Sequence, residues 1–266
     1  MIMKIFYLVK VSIEKSFKEL IRYKFNTIAN ILSLYVLFIA MFYGVKVFGN
    51  YMNVSPIELG ETMEGFVIGY FLWTIMLMVY ENIAYSISKD ANTGTLEQIS
   101  MTDMGFRKIL IVRSICDLVI NLIVSFIILV FIMATTGYQL NINVGPLLLL
   151  IILGIFSMFG ISLIFGGLAL IFKKVQSFLN IIQYFFIAIL VPTKSMIGEV
   201  GISLIPFRPA IDKVYDITLG GQKLYDFPIS DYIILIANSA IYFIIGLIVF
   251  EKCSKVARKK GLLGQY

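Results

Sequence analysis

Six long apolar runs constrain this chain more than any other feature of its sequence. A helix needs about 20 mostly apolar residues to cross roughly 30 Å of hydrocarbon, and each run has about that length. The apolar content of 59% and the charged content of 14% also differ from those of soluble domains, which are about 45–50% apolar and about 25% charged. We therefore predict an all-α, multi-pass membrane protein with a single transmembrane domain over residues 1–266. The predicted spans lie near 26–48, 66–87, 110–133, 146–171, 178–198 and 231–250.

The distribution of Lys and Arg predicts the orientation of these spans. Of the 22 Lys and Arg residues, 17 fall before the first span, around the second-to-third connection, after the fourth span or in the tail at 251–266. Connections rich in Lys and Arg stay in the cytoplasm, so both termini are expected there, in a protein of the cell membrane. The basic inner face suits anionic lipid headgroups. It is spread over four segments, which argues against a nucleic-acid groove.

The chain has no histidine and two isolated cysteines, Cys116 and Cys253. Histidine is the commonest proton-transfer group and metal ligand near neutral pH, and the cysteines form no metal-binding motif. We therefore expect no metal site and no histidine-based catalysis, so an enzyme here would need carboxylates, lysine or tyrosine alone. The first apolar stretch, Ile5–Val9, is too short for the core of a cleavable signal peptide, so we expect an unprocessed chain.

Residues 4–25 precede the first span and are predicted to form an amphipathic helix along the inner membrane surface. The alternative is a basic anchor that only sets the topology. In the first interpretation the helix also carries motion into the first span. The apolar face consists of Phe6, Val9, Ile13, Phe17 and Leu20, and the opposite face of Lys4, Lys15, Lys18 and Arg22.

The second-to-third connection predicts a short helix within residues 93–106. Thr95 and Gln98 have the spacing of a capping box, Glu97 lies in the first turn, and Gly105 is a candidate stop. Leu96 and Ile99 would form a small apolar face that is able to dock into a groove of a partner. An ordinary surface helix is the alternative.

These residues carry a resemblance to a known family. The run 94–98, which follows a span ending in 81–85 and precedes a basic step, resembles the signature loop of membrane subunits of type-2 ATP-binding cassette (ABC) exporters. The tail at 257–266 is similar to the ending of many members, and the proline-containing outer segment 205–210 before the last span is similar to the corresponding segment of the family. The chain departs from the family pattern at 89–92 and at 101–104, which bears on how a partner would dock.

The resemblance implies a permease without catalytic residues, bound cofactor or ATPase activity of its own, and the chain has no phosphate-binding P-loop motif. It further implies two copies of an ABC ATP-binding subunit, which would hold ATP and magnesium, and a second copy of this permease or a related one. The helix at 93–106 would then be the coupling helix that contacts the ATP-binding subunit. The residues assigned to this coupling contact are Thr93, Gly94, Thr95, Leu96, Glu97, Gln98 and Ile99.

Polar residues recur every fourth position in the third span, where Arg113, Asp117, Asn121 and Ser125 form one stripe. Ionisable groups inside a membrane usually face a partner or a wet cavity. One interpretation is a structural clasp in which Arg113 pairs with Asp117 four residues on. The other is an inner gate, with Glu81 on the second span as a further partner.

The fifth span carries uncharged polar residues beside aromatic ones, at Asn180, Gln183, Tyr184 and Phe185. They suit an amphipathic substrate that passes along a seam between helices, or equally an interfacial aromatic belt with an interhelical hydrogen bond. The segment 192–230 is proline-rich and partly apolar. The resemblance implies short outer helices there that dip back into the membrane, and a loose outer loop is the alternative.

The leading functional hypothesis is ATP-driven export of an amphipathic substrate such as a drug, an antibiotic peptide or a lipid. Export of a lipid-linked polysaccharide by the same subunit plan is the nearest alternative. A membrane-embedded lipid enzyme is disfavoured because histidine and paired intramembrane carboxylates are missing, and a self-gating channel because no filter-like segment repeats. The sequence identifies neither the substrate nor whether the permease pairs with itself.

Overall fold

All regular secondary structure in the described part of the chain is helical, so the predicted all-α class is confirmed. The computed structural model describes residues 2–52, 63–102, 104–138, 140, 143–172, 175–190, 198 and 201–261. The helices are α1 (Ile2–Arg22), α2 (Lys24–Met52), α3 (Met63–Tyr80), α4 (Asn82–Asn92), α5 (Thr95–Ser100), α6 (Phe106–Thr136), α7 (Val144–Ile171), α8 (Gln176–Leu190), α9 (Arg208–Thr218) and α10 (Ile229–Lys259), with a 3-10 turn at Leu224–Asp226.

Five of these helices, α2, α3, α6, α7 and α10, are long and apolar enough to cross a membrane, and the chain is a multi-pass membrane protein. The fifth predicted span, near 178–198, begins as α8. The 15 described residues of α8 rise about 22 Å at 1.5 Å per residue, less than the thickness of the hydrocarbon core. Residues 191–197 lie outside the described part of the chain, so a sixth span stays a prediction.

Side-chain contacts define two ends of the helical bundle. At the end that holds α5, Glu19 on α1 pairs with Lys89 on α4 at 2.8 Å, and Arg107 on α6 pairs with Glu251 on α10 at 2.8 Å. At the end that holds α9, Lys213 pairs with Asp231 at the start of α10 at 2.6 Å. The Arg22 end of α1 and the Lys259 end of α10 therefore lie at the α5 end of the bundle.

Helices α7 and α10 form the tightest contact in the described structure, because glycine lets their backbones meet. A Cβ atom at Gly160 would overlap the carbonyl oxygen of Tyr242, and one at Gly246 would overlap the carbonyl oxygen of Gly160. The hydroxyl of Ser239 on α10 donates a hydrogen bond to the carbonyl of Leu153 at 2.6 Å. This pair forms one wall of the bundle.

Helix α3 is central and α2 is peripheral. In the most apolar stretch of α3, 78% of the residues are buried, compared with 11% in α2. Helix α2 inserts Phe38 and Phe42 beside Phe66 and Tyr70 of α3, and the ring centroids of Phe38 and Tyr70 are 5.0 Å apart. Most of the α2 surface therefore faces away from the rest of the chain.

The second predicted span, 66–87, is not one uninterrupted helix, because α3 ends at Tyr80 and α4 begins at Asn82. The backbone N–H of Ile83 donates to the hydroxyl of Ser162 on α7 at 3.2 Å, and Gly166 leaves room for the Ile83 side chain. A side chain inserted into a helical ladder is a known cause of a break. The break depends on a contact with α7, so the local sequence does not reveal it.

Candidate functional site

A buried ion pair joins α4 to α6 just before α5 begins. The guanidinium of Arg113 on α6 donates to both carboxylate oxygens of Asp90 on α4, at 2.7 and 3.3 Å, and to the hydroxyl of Ser86 at 3.2 Å. The two charged side chains are 14% and 6% exposed. Two-pronged contacts of this kind between Arg and a carboxylate fix geometry as well as adding energy. Together with Thr95, these residues are called the α4–α5 joint below.

The first residue of α5 is attached to the same carboxylate. The hydroxyl of Thr95 lies 3.2 Å from the carbonyl oxygen of Asp90 and 3.4 Å from its carboxylate. The predicted capping box of Thr95 and Gln98 is therefore wrong, since Gly94 occupies the cap position with a positive φ of 69° and the Thr95 side chain turns back to α4. The chain turns sharply at Gly94 and begins α5 in direct contact with the joint.

Helix α5 spans Thr95–Ser100 and is shorter than the predicted 93–106. Its only buried residue is Leu96, which is 1% exposed and packs inside this chain. Leu96 is thus not free to dock into a partner, contrary to the prediction, because its side chain packs the short helix α5 against the rest of the bundle. The surface that α5 offers instead consists of Glu97, Gln98 and the 75% exposed Met101.

Gly105 is not the stop of this helix either. Helix α5 ends at Ser100, and Gly105 precedes the first residue of α6 with φ 82° and ψ 128°. Few side chains tolerate that backbone conformation. Gly105 therefore sets the direction in which α6 enters the bundle.

Helix α1 covers the predicted amphipathic segment up to Arg22, where the prediction extended to residue 25, and it packs against α6. Ser12 is buried in this contact, and the hydroxyl of Ser16 donates to the carboxylate of Asp117. Phe6, Ile13 and Phe17 of the predicted apolar face are exposed. Small polar residues thus hold α1 to α6, and these apolar residues are not covered by the described chain; that they lie at the membrane interface stays a prediction. Val9 and Leu20 are half-buried at the edge of the contact.

The predicted clasp between Arg113 and Asp117 is not formed. Arg113 reaches across to Asp90, and Asp117, one turn further along α6, accepts from Ser16. The physical reason is that a carboxylate on a neighbouring helix presents both oxygens to the planar guanidinium, whereas Asp117 faces α1. The two residues therefore bind α6 to two different helices.

The other residues assigned to the gate or clasp lie apart from the joint. Glu81 lies at the break between α3 and α4, near the Gln176 side chain at the start of α8. Asn121 is half-buried on α6. Ser125 is buried and its hydroxyl lies 3.3 Å from the sulfur of Met78 on α3. The residues of the predicted stripe thus contact three different helices: Arg113 contacts α4, Asp117 contacts α1 and Ser125 contacts α3.

The predicted substrate seam lies on α8. Tyr184 and Phe185 are exposed, and the exposed Asn180 accepts a hydrogen bond of 3.4 Å from Gln176, while Gln183 is half-buried. The opposite face holds α8 to α3, where the ring of Phe186 lies 4.7 Å from that of Tyr80. The polar and aromatic seam therefore points away from the described chain.

The described part of segment 192–230 includes α9, which packs on α3 and α7. Gly154 on α7 and Gly69 on α3 lie directly beneath α9, and a Cβ at Gly69 would come within 2.6 Å of the Tyr215 hydroxyl. Burial raises the pKa of Tyr215 to about 12. Burial lowers the pKa of Lys213, but the hydrogen bond that its ammonium donates to Asp231 and the charges of Asp216 and Asp231 outweigh this effect, so the net shift is upward.

Sequence reasoning missed Asp90 and Ser86 as partners of Arg113. The available signal was their spacing of four, which puts both on one face of a helix that leads into the predicted coupling segment. Asp90 instead drew notice only as a departure from the family pattern. In the described part of the chain, no three His, Cys, Asp or Glu residues group closely enough to hold a metal ion.

A family model described as an ABC-2 family transporter protein matches residues 48–248, which is more than half of the chain and includes the joint, α5 and α8. Comparisons with curated proteins and with solved structures give no match.

Proposed function

The chain belongs to the ABC-2 transporter family, and from that premise we propose that it is the permease subunit of an exporter driven by a separate ATP-binding subunit. Members of this family are transport components that work with an ATP-binding subunit. The α5 end of the bundle would then face the cytoplasm, in agreement with the excess of Lys and Arg there. Both described chain ends would lie on that side of the cell membrane.

The observation that carries the proposal is the contrast between the two faces of α5. Leu96 is buried in the chain, whereas Glu97, Gln98 and Met101 are exposed together. The flexible thioether of Met101 adapts well to a groove, and the charge of Glu97 and the amide of Gln98 beside it suit the polar rim of an interface. We assign this surface to the ATP-binding subunit.

The α4–α5 joint supports a direct mechanical path from that surface into the membrane. A push on α5 reaches Asp90 through Thr95 and then reaches α6 through Arg113. Lys89, next to Asp90, transfers the same displacement to α1 through Glu19. Closure of the ATP-binding subunits would therefore move α6 and α1 together and switch the permease between inward and outward openings.

The transported substrate is proposed to be amphipathic. The seam on α8, with Tyr184, Phe185 and Asn180 exposed, offers aromatic surface and an amide that point away from the described chain. A second permease copy facing this seam would enclose a path that suits drugs, antibiotic peptides or lipids. The exposed surface of α2 would contribute to the same enclosure.

The test is co-purification of the ATP-binding subunit with variants of the α5 surface. Glu97→Arg combined with Met101→Arg places two new charges in the proposed interface. We expect at least a tenfold loss of bound ATP-binding subunit, equivalent to about 1.4 kcal/mol, at an unchanged level of permease in the membrane.

The matched control is Glu64→Arg, the same charge reversal at an exposed residue at the start of α3, at the opposite end of the bundle. It should leave co-purification unchanged. If the unmodified chain brings down no ATP-binding subunit, or if the α5 double variant retains it fully, the proposed function is wrong.

A further inference from the structure

A narrow cavity lies between α2, α3 and α8. Met41 of α2, Phe66, Tyr70 and Trp73 of α3, and Ile187 and Leu190 of α8 line it. Its volume is about 20 Å³, which corresponds to the space of one water molecule. The walls are almost wholly apolar, so the few polar groups among them decide what the cavity can hold.

One polar group in these walls has no partner. Trp73 is 6% exposed, and its indole Nε1 makes no hydrogen bond with any described residue. The hydroxyl of Tyr70, by contrast, already donates to the carbonyl of Leu34. A buried donor without an acceptor costs free energy, and such groups call for an explanation.

The depth of Trp73 makes a buried water an unsuitable acceptor for its indole N–H. It lies ten residues from the start of α3, which places it about 15 Å along the helix, near the middle of the hydrocarbon core. A buried water needs two to four polar partners, and the described walls offer only two polar side chains, the indole of Trp73 and the hydroxyl of Tyr70, whose proton is already donated to Leu34. A ligand that brings one acceptor and an apolar body satisfies both the donor and the walls.

The wall formed by α2 is able to move aside for such a ligand. Only 11% of the apolar stretch of α2 is buried against the chain, and Met41 is an unbranched, flexible side chain. Helices α3 and α8 are held firmly to each other, because the Tyr80 hydroxyl donates to the carbonyl of Leu179 at 3.1 Å. The cavity therefore has one movable wall and two fixed ones.

We propose that this cavity is a binding site for a neutral amphipathic molecule that carries a single carbonyl-type acceptor on a hydrocarbon body. The carbonyl accepts the hydrogen bond of Trp73, and the hydrocarbon displaces Met41 and lies between α2 and α8. The site rests on the proposed function only in that the molecule would be a substrate for export. It uses the face of α8 opposite to the exposed Tyr184 and Phe185.

The sequence offers a direct test, because Trp73 is the only tryptophan. The purified permease, without any ATP-binding subunit, is titrated in detergent micelles with methyl decanoate or with undecane, which has a similar length and no acceptor. A new hydrogen bond to the indole shifts its emission to longer wavelength. We expect a saturable red shift with the ester and none with the hydrocarbon.

Two variants locate the site. Ile187→Phe fills the cavity from α8 while leaving Trp73 in place, and should weaken the response to the ester at least tenfold. Ile233→Phe makes the same change at an exposed residue of α10 and should leave the response unchanged.

Equal responses to ester and hydrocarbon, no response to either, or an unchanged response in Ile187→Phe would each overturn the proposal. Binding of the ester by a permease that brings down no ATP-binding subunit would refute the proposed function and leave this site standing. If the ATP-binding subunit co-purifies but the permease does not bind the ester, the site alone is refuted.

Discussion

Replacing Asp90 with Asn isolates the electrostatic part of the α4–α5 joint. The new amide keeps the shape of the side chain and an oxygen that accepts from Thr95, but it removes the negative charge that faces Arg113. The guanidinium is then left buried at 14% exposure without a counter-charge. The expected result is a large loss of stability together with a loss of contact between α5 and α6.

The magnitude follows from the burial of the pair. Removing one partner of a buried ion pair costs about 3–5 kcal/mol, mainly because an uncompensated charge stays behind. Neutralising both partners, with Asp90→Asn and Arg113→Gln together, removes that charge and should restore most of the loss. A coupling energy of at least about 2 kcal/mol between the two sites is therefore expected, within the range for residues in contact.

The assay is equilibrium unfolding in mixed micelles titrated with sodium dodecyl sulfate, applied to the unmodified chain, the two single variants and the double variant. The pair Arg107 and Glu251 provides a control on the same helix, since its 2.8 Å contact is as short but its side chains are 46% and 45% exposed. Exposed pairs contribute about 0–1 kcal/mol, so the same cycle there should give little coupling. A coupling energy below about 0.5 kcal/mol at Asp90 and Arg113 would refute the account of the joint.

Two further predictions concern packing. Gly160→Ala should lower the free energy of unfolding by about 1–3 kcal/mol, because the new Cβ would overlap the backbone of Tyr242. The control Gly44→Ala, whose Cβ meets nothing within 4 Å, should be neutral or stabilising. Equal melting temperatures of the two variants would contradict this prediction. Ser16→Ala should loosen α1 from Asp117 and speed tryptic cleavage within α1. The control Ser88→Ala removes only a hydrogen bond to the backbone of its own helix and should leave the cleavage rate unchanged. Identical cleavage rates in the two variants would show that the Ser16 contact does not hold α1.

The long helices could be predicted from the sequence because apolar length is a local property. The predicted span 146–171 becomes α7 at Val144–Ile171, and 26–48 falls within α2 at Lys24–Met52. The break at Tyr80 could not be predicted, since it depends on the Ser162 hydroxyl of a distant helix. Spacing along one helix likewise suggested Asp117 as the partner of Arg113, while the actual partner is on α4.

The orientation of α5 could not be predicted from the local sequence either. Leu96 and Glu97 are neighbours in the predicted coupling contact, yet one is buried and the other exposed. Only the position of α5 on the bundle determines which of them meets a partner. Short helices have too few residues for a periodic pattern to reveal that face.

The glycine contact between α7 and α10 has a consequence for how the protein is made. Helix α7 is synthesised before α10, with α8 and α9 between them. The backbone at Gly160 therefore has no partner until α10, which carries Tyr242 and Gly246, has been made. Asn238 of α10 also donates to the carbonyls of Ser203 and Ile205, at 2.9 and 3.0 Å, in the segment before α9. Insertion of α10 therefore completes the contact with α7 and the hydrogen bonds to the segment before α9 together, and until then the backbone surface at Gly160 has no helix packed on it.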